Sequence, residues 1–355
     1  MSSKLIVHVS EIDLSLNGGM SRVEVNWKNA FERRGIEFIH IGPNEVGYNI
    51  HKGIFPYKAY SYFKNLKIKP DAFIVHEPSA GVFTNRSIPC FLESHGIERR
   101  GWENDKSAKN IKTRILFPLW RLKNCDKGLL KANKLLLINS EDQKYVEKKY
   151  NRKKEDILVF KNGVNRYLSD KIIKQSVLYT ILFNGSWIER KGISLLVKAA
   201  IILFEKGIRN IQYLIIGTSK NKIQVLADWP EYMHTYIKVI EKFDSTQEIN
   251  FINSSDLFVL PSFFEGQPLS LLQAMHAGIC CITTNTCGQK DIIDHGKTGL
   301  FIPIGDHDAL ANMMNWCYEN KDKSNSIGLS AAFKMADRTW QNVSDEVVDY
   351  VLQFS

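Results

Sequence analysis

The sequence has no apolar run approaching the roughly 18 residues that a membrane-crossing helix needs. Its N-terminus, MSSKLIVHVS, carries one lysine and a run that reads as a strand. It lacks the longer apolar core and small-residue cleavage site of a secretion signal, so the expected location is cytoplasmic. The six cysteines (Cys90, Cys125, Cys280, Cys281, Cys287, Cys317) include no C-x-x-C pair, which argues against a zinc ribbon or a disulfide framework. Cys280 and Cys281 fall inside an apolar run and read as small fillers of a core kept reduced. There is no G-x-G-x-x-G fingerprint, no internal repeat and no low-complexity segment. No nucleic-acid motif accompanies the positive charge, so nucleic acid is not an expected partner.

What is present fits two ordinary domains. The 355 residues, 44% hydrophobic and 24% charged, suffice for two α/β cores. The net charge of +9 is uneven: residues 1–165 hold 29 Lys and Arg against 18 Asp and Glu, the remainder 18 against 20. Within the basic half, Lys106 to Lys134 holds nine Lys and Arg and a single acid, Asp126. Ile115, Leu116, Phe117, Leu119 and Trp120 interleave with those cations, giving an amphipathic stretch. Such a stretch can lie on anionic lipid or pack as a core helix with a solvated basic side.

Short β-branched and apolar runs alternate with helical patterns along both halves. Strands are expected at Lys4–Ser10, Phe38–Ile41, Ala72–His76, Cys90–Ser94, Lys134–Asn139 and Ile157–Phe160. The pattern restarts at Tyr179–Asn184 and continues at Ile211–Ile216, Ile237–Ile240, Leu257–Leu260 and Ile279–Thr284. Met20, Val23, Trp27, Ala30 and Phe31 mark a helix that ends at Gly35, and Glu141–Tyr150 reads as another. Two blocks of this kind predict two doubly wound parallel sheets.

The richest segment follows the Leu257–Leu260 strand: PSFFEGQPLSLLQAMHAGICCITTNTCGQKDII, residues 261–293. Pro261 ends the strand and Glu265-Gly266 puts a carboxylate on the following loop. Pro268 suits the first turn of a helix with a buried side of Leu269, Leu272, Ala274, Met275 and Ala277, and Gly278 suits its stop. The helix start offers N–H groups to a phosphate, and Glu265 can accept hydrogen bonds from hydroxyls. One loop can thus serve both halves of a nucleotide sugar.

This segment resembles the donor loop of the retaining family-4 glycosyltransferases, whose pattern PSxxEGFGLPxLEAMAxGxPV separates two Glu by seven residues. Glu265, Gly266, Leu269, Ala274, Met275 and Gly278 fall on the pattern, while Gln273 stands at the second Glu. The resemblance implies a GT-B fold: two Rossmann-like doubly wound domains facing a central cleft. Residues 1–165 would form the acceptor-side domain, with a closing helix at about 338–355 returning to it; residues 166–337 would bind the donor. Lys161-Asn162-Gly163-Val164-Asn165 resembles the family's PNGVD turn at that boundary.

By resemblance Glu265 contacts the donor hexose and the residue at 273 the ribose, with Gln267 and Ser270 on the same loop. Asn17-Gly18-Gly19 resembles the first-domain glycine loop, where a backbone without Cβ approaches the diphosphate. Lys191 falls on the family's diphosphate-binding Lys; the family's Arg position is Ser186, and Arg190 could substitute. Adjacent residues of a helix face different ways, which counts against Arg190. Gly217 would border the base and Phe243 lie near it, although Glu241 stands where the family has Gly. His95 resembles the first-domain His that faces the donor sugar. Glu98, Arg99, Arg100, Trp102 and His76 are candidate acceptor contacts. Asp306-His307-Asp308 looks like a metal-binding D-x-D but reads as a helix cap, so no metal is expected.

The activity implied is metal-independent, retaining transfer of a hexose to a hydroxyl of a glycan or lipid-linked acceptor, in cell-surface polysaccharide or lipopolysaccharide synthesis. The donor would be a UDP-sugar rather than a GDP-sugar, with no separate cofactor. Catalysis would fall to His95, Glu265 and Lys191. The alternatives are a catalytically impaired nucleotide-sugar-binding GT-B protein and a GT-B epimerase. The basic half further predicts a peripheral place on the inner face of the cell membrane. Co-sedimentation with vesicles should rise with anionic lipid and fall with salt, since such attraction is screened within about 10 Å at 0.1 M. Equal binding to neutral vesicles, or none, would exclude it.

Overall fold

The computed structural model describes residues 4–84, 87–104, 116–165 and 178–355. Residues 106–115 of the basic stretch, Ile115 among them, lie outside this set. The chain divides into two compact units: residues 1–162 with 340–355, and residues 163–339.

The first unit is built on β1 (Leu5–Val9), β2 (Glu37–Ile41), β3 (Ala72–His76), β4 (Cys90–Ser94), β5 (Lys134–Leu137) and β6 (Ile157–Val159). They form one sheet in the order β2-β1-β3-β4-β5-β6, every pair parallel. The second unit has β7 (Tyr179–Asn184), β8 (Ile211–Ile216), β9 (Ile237–Ile240), β10 (Leu257–Leu260), β11 (Cys280–Thr284) and β12 (Leu300–Ile302). Their order is β12-β11-β10-β7-β8-β9, again all parallel. This is the expected pair of doubly wound sheets. The strand order reverses direction beside β1 in the first sheet and beside β7 in the second, where open parallel sheets bind ligands outside the carboxyl ends of their strands.

The strands are mostly apolar because both faces are covered: β3, β7, β10 and β11 are buried at every residue. Where strands differ from expectation, the ends explain it. β5 stops at Leu137 because the Asn139 side chain turns away to accept the Asp142 N–H at 2.8 Å, capping the helix Ser140–Tyr150. β11 starts at Cys280 because the Ile279 N–H is taken by the Ala274 carbonyl, which closes the preceding helix around Gly278 at φ +80°. Pro268 is the N-cap of the helix Leu269–His276 and lies just outside its first turn.

Helices cover the sheets. In the first unit, Val343, Val347, Val348 and Val351 of the closing helix Trp340–Gln353 are buried, and Asp345 and Asp349 pair with Arg33 and Arg34 of the helix Gly19–Arg33. The described part of the basic stretch includes a short π-helical turn, Pro118–Leu122, running into the helix Lys123–Lys131. Leu122, Cys125 and Leu129 are buried in the core, whereas Leu119, Trp120 and Leu130 are exposed. Among the described residues no helix is long and apolar enough to cross a membrane.

One glycine fixes the approach of β7 to its helix. Gly192 has φ +73°, and a Cβ there would lie 2.1 Å from the Pro261 carbonyl oxygen at the end of β10. Gly192→Ala should therefore destabilise the protein by about 1–3 kcal/mol from the left-handed backbone alone, and by more from the overlap. Denaturant unfolding measures this; a loss under roughly 0.5 kcal/mol would show that the turn tolerates a side chain.

Candidate functional site

In the second unit, the loops after β7 and β10 meet at the carboxyl ends of adjacent strands. After β7 the chain passes Gly185 and makes a 3₁₀ turn at Glu189–Lys191 before the helix Ile193–Glu205. Lys191 folds back so closely over Gly185 that a Cβ there would lie 3.0 Å from the lysine chain. After β10 comes Glu265, which is 8% exposed. Lys191 Nζ lies 2.9 Å and Arg190 Nη1 3.2 Å from the same Glu265 Oε1. Arg190 also donates to the Phe264 carbonyl at 2.6 Å, and Ser262 Oγ donates to Glu265 Oε1 at 3.3 Å. The objection that Arg190 and Lys191 must diverge applies to an α-helix. A 3₁₀ turn closed by left-handed Gly192 lets both cations reach one carboxylate.

The helix Leu269–His276 follows directly, and its first N–H groups lack intrahelical partners by construction. Its buried side includes Leu271, Leu272, Ala274 and Met275, whereas Leu269 and Ser270 are only half-buried. Gln273 is 1% exposed, and neither its Oε1 nor its Nε2 has a hydrogen-bond partner. A buried amide with both ends unpaired is rare in folded proteins. Gln267 Oε1 accepts from Arg338. Gly266 is pressed against Gly288, where a Cβ would overlap the Gly266 carbonyl at 1.3 Å.

At the end of β8, Gly217 adopts φ +66° between Asn184 and Phe243; a Cβ would meet the Asn184 amide oxygen at 3.2 Å and the Phe243 ring at 3.3 Å. Phe243 packs edge-on against Phe251. Glu241 is occupied by the Lys222 N–H at 2.8 Å, and Ser186 Oγ lies 3.4 Å from Ser219 Oγ. Asp306 accepts the Ala309 N–H at 2.8 Å as N-cap of the helix His307–Glu319, and Asp308 is exposed beside it. The cap reading accounts for this pair.

In the first unit, Gly18 is the N-cap of the helix Gly19–Arg33, and a Cβ there would lie 2.2 Å from Ser21 Oγ. A Cβ on Gly19 would meet nothing within 4 Å. His95, just past β4, is held by Glu93: His95 Nε2 and Glu93 Oε1 are 2.6 Å apart. Glu93 Oε2 contacts His8 Nε2 at 3.1 Å, and His8 Nδ1 contacts His40 Nδ1 at 2.9 Å. Burial alone would raise Glu93, but hydrogen bonds and charge from the two imidazoles outweigh it and hold the carboxyl well below its usual range. Burial, then the nearby Glu93 charge, pushes Glu24 well above it. Burial lowers His76 to about 4 and raises Glu77 to about 8, so both are neutral at pH 7.

Sequence reasoning singled out His95 and His76 but not His8, His40, Glu24, Glu93 or Glu77. The available signal was polarity out of place: LIVHV and CFLES are buried strands with one charged or titratable residue each. The other candidates in this unit are already engaged. Arg99 pairs with Asp126, Arg100 with Glu141 and Asp142, and Glu98 with Arg121, which also holds Glu11. Trp102 stacks on Phe117, centroids 4.9 Å apart.

Residues 165–332 match the family described as glycosyl transferases group 1. An Escherichia coli UDP-Gal:α-D-GlcNAc-diphosphoundecaprenol α-1,3-galactosyltransferase is 23% identical over 196 residues, 52% of this chain and 50% of that protein. The matched stretch thus spans half of that relative's length. Among solved structures, sucrose-phosphate synthase from Thermosynechococcus elongatus superposes with TM-score 0.83 at 16% identity, covering 99% of this chain and 98% of that one. Anabaena HepE in complex with UDP-glucose gives TM-score 0.73 at 14% identity, over 99% and 100%. At these identities the likeness establishes the fold, which is the expected GT-B type.

The orphaned amide makes a prediction about the unliganded protein. Gln273→Met removes two unpaired polar groups at nearly constant volume and should stabilise it by about 1–3 kcal/mol. A urea midpoint that stays put or falls would show that the amide is satisfied.

Proposed function

We propose, from the match of residues 165–332 to the group 1 glycosyl transferases, that the chain transfers a hexose from a nucleoside diphosphate sugar to a hydroxyl of a glycan or lipid-linked acceptor. The transfer retains configuration, needs no metal and serves cell-surface polysaccharide or lipopolysaccharide synthesis. The observation that carries this reading is the convergence of Lys191 and Arg190 on Glu265 at the ends of β7 and β10, beside the unpaired Gln273. A diphosphate needs cations, a hexose needs a hydroxyl acceptor, and a ribose needs a partner at the helix. The loop supplies all three.

In this reading Lys191 and Arg190 turn from Glu265 to the diphosphate and stabilise the charge that develops as the sugar–phosphate bond breaks. The N–H groups at the start of Leu269–His276 add to that stabilisation. Glu265, released, accepts hydrogen bonds from the hexose. Gln273 accepts from one ribose hydroxyl and donates to another, which ends its unpaired state. Gly217 and Phe243 border the base, uracil in preference to guanine. His95 orients a reacting hydroxyl, and the indole of Trp102 offers an apolar face to an acceptor sugar. The cation pair does the work of a divalent ion, and Asp306 stays a cap.

Lys191→Ala should weaken nucleoside diphosphate binding and lower turnover together, Glu265→Ala should remove most transfer, and excess EDTA should leave wild-type turnover largely intact. Gln273→Glu should tighten the nucleotide several-fold, by about 1 kcal/mol, because charge-assisted hydrogen bonds are about twice as strong as neutral ones. Isothermal titration and product analysis with UDP- and GDP-sugars measure these effects. Abolition by EDTA with rescue by a divalent ion would refute the charge assignment. Tight binding without transfer to any acceptor would favour a binding protein, and sugar isomerisation without an acceptor an epimerase.

A further inference from the structure

The chain of short contacts in the first unit has a fixed end. The Ile12 carbonyl can only accept, so His40 Nε2, 3.1 Å away, carries a hydrogen. Burial, then the neighbouring His8, lowers His40 to about 3, so its ring is neutral and its Nδ1 is a bare lone pair. His8 Nδ1, at 2.9 Å, must therefore donate to it. Two contacts remain, His8 Nε2 to Glu93 Oε2 and His95 Nε2 to Glu93 Oε1, and each needs one hydrogen.

Glu24, 4.0 Å from His8 Nε2, is raised well above its usual range by burial and then by the Glu93 charge, so its carboxyl is neutral and the net-neutral filling has only one solution. One hydrogen lies between His8 and Glu93, and the other is on His95 Nε2. Were Glu93 to donate to His95 instead, His8 would need a second hydrogen and the cluster would carry a net positive charge. His8 and Glu93 are both fully buried, where an uncompensated charge is costly. A tetrahedral zinc shared by the two Nδ1 atoms does not fit either. Two nitrogens on one tetrahedral zinc, each at about 2.0–2.1 Å, stand about 3.3 Å apart. Those of His8 and His40 stand 2.9 Å apart.

We infer that Glu93, with His8 behind it, is the positioning residue that locks His95 as its Nε2–H tautomer and leaves Nδ1 as a bare hydrogen-bond acceptor for a substrate hydroxyl. Nothing among the described residues donates to Nδ1, and the His95 side chain is 16% exposed. The logic is that of a buried carboxylate fixing an imidazole by one ring nitrogen so that the other is free to work. Only the identity of the hydroxyl rests on the proposed transferase reading.

Nitrogen-15 NMR of histidine-labelled full-length protein reads the tautomer, with His95→Gln identifying the His95 signals. Wild type should show a protonated Nε2 and a bare Nδ1 at neutral pH. Glu93→Gln should keep that pattern, because an amide can donate to His8 Nε2 and accept from His95 Nε2 at once. Glu93→Leu should release His95 to populate both tautomers. In sugar transfer, Glu93→Leu should lower kcat roughly tenfold or more, with the donor KM within about twofold, and Glu93→Gln should stay within a few-fold of wild type. A wild-type His95 in the Nδ1–H form, or the same tautomer in Glu93→Leu, overturns the lock. Should Glu93→Leu fail to fold, the wild-type and Glu93→Gln spectra decide alone. A changed tautomer with unchanged kcat overturns the assignment of Nδ1 to the substrate. Absence of transfer by wild type with the tautomer as inferred refutes the transferase reading and leaves the lock standing.

Discussion

A parallel strand covered on both faces can offer chemistry only at its ends. That constraint governs each of the two units. β10 is apolar over its length, β7 is so apart from Thr180 and the Asn184 that finishes it, and within each sheet all strands run the same way. The carboxyl ends of one sheet therefore gather on one edge, and whatever reactive groups that unit possesses are carried on loops there. Where the winding reverses, no helix crosses over, and the loops of β7 and β10 come together. Lys191 and Glu265 are far apart in sequence, yet their contact is a local consequence of the strand order.

The exceptions within the strands follow from the same constraint. A titratable group inside a doubly covered sheet has no water to turn to, so it must find partners in the interior. His8 in β1 and Glu93 in β4 find each other, and the cluster extends outward through His40 and His95 to the strand ends. Glu24 and Glu77, which lie on helices and not in the strands, take the other course: burial raises both, and each carboxyl is met by a hydroxyl, Ser10 for one and Ser94 for the other. The first unit thus contains both solutions to a buried carboxylate, paired charge and neutralisation.

Much of this was legible. Buried strands are nearly continuous apolar runs, which is why Ala72–His76, Tyr179–Asn184 and Leu257–Leu260 could be delimited to the residue. Ends were harder, because they depend on which backbone group is claimed first, as at Asn139 and Ile279. Glu265 and Lys191 were found by resemblance to a spacing; nothing local in either sequence tells that they touch. The His8 cluster was missed because each member is isolated in its own strand, and the register that aligns them is a property of the sheet. Gln273 was recognised as a departure from a pattern, but its unpaired state is set by the surrounding packing, which no single sequence reveals.

Under the proposed transferase reading, the ion pair at the ends of β7 and β10 also bears on selectivity. Glu265 is held there by two cations at once, Lys191 and Arg190. A small anion that draws off both cations strands the buried Glu265, and a neutral sugar that solicits Glu265 finds it occupied. Neither half of a nucleotide sugar gains much by itself, because each must first undo an existing attraction. A molecule that brings an anion and hydroxyls on one frame replaces both partners in a single exchange. The loop would then behave as a coincidence detector, indifferent to the abundant phosphates and free sugars around it and responsive to their covalent union.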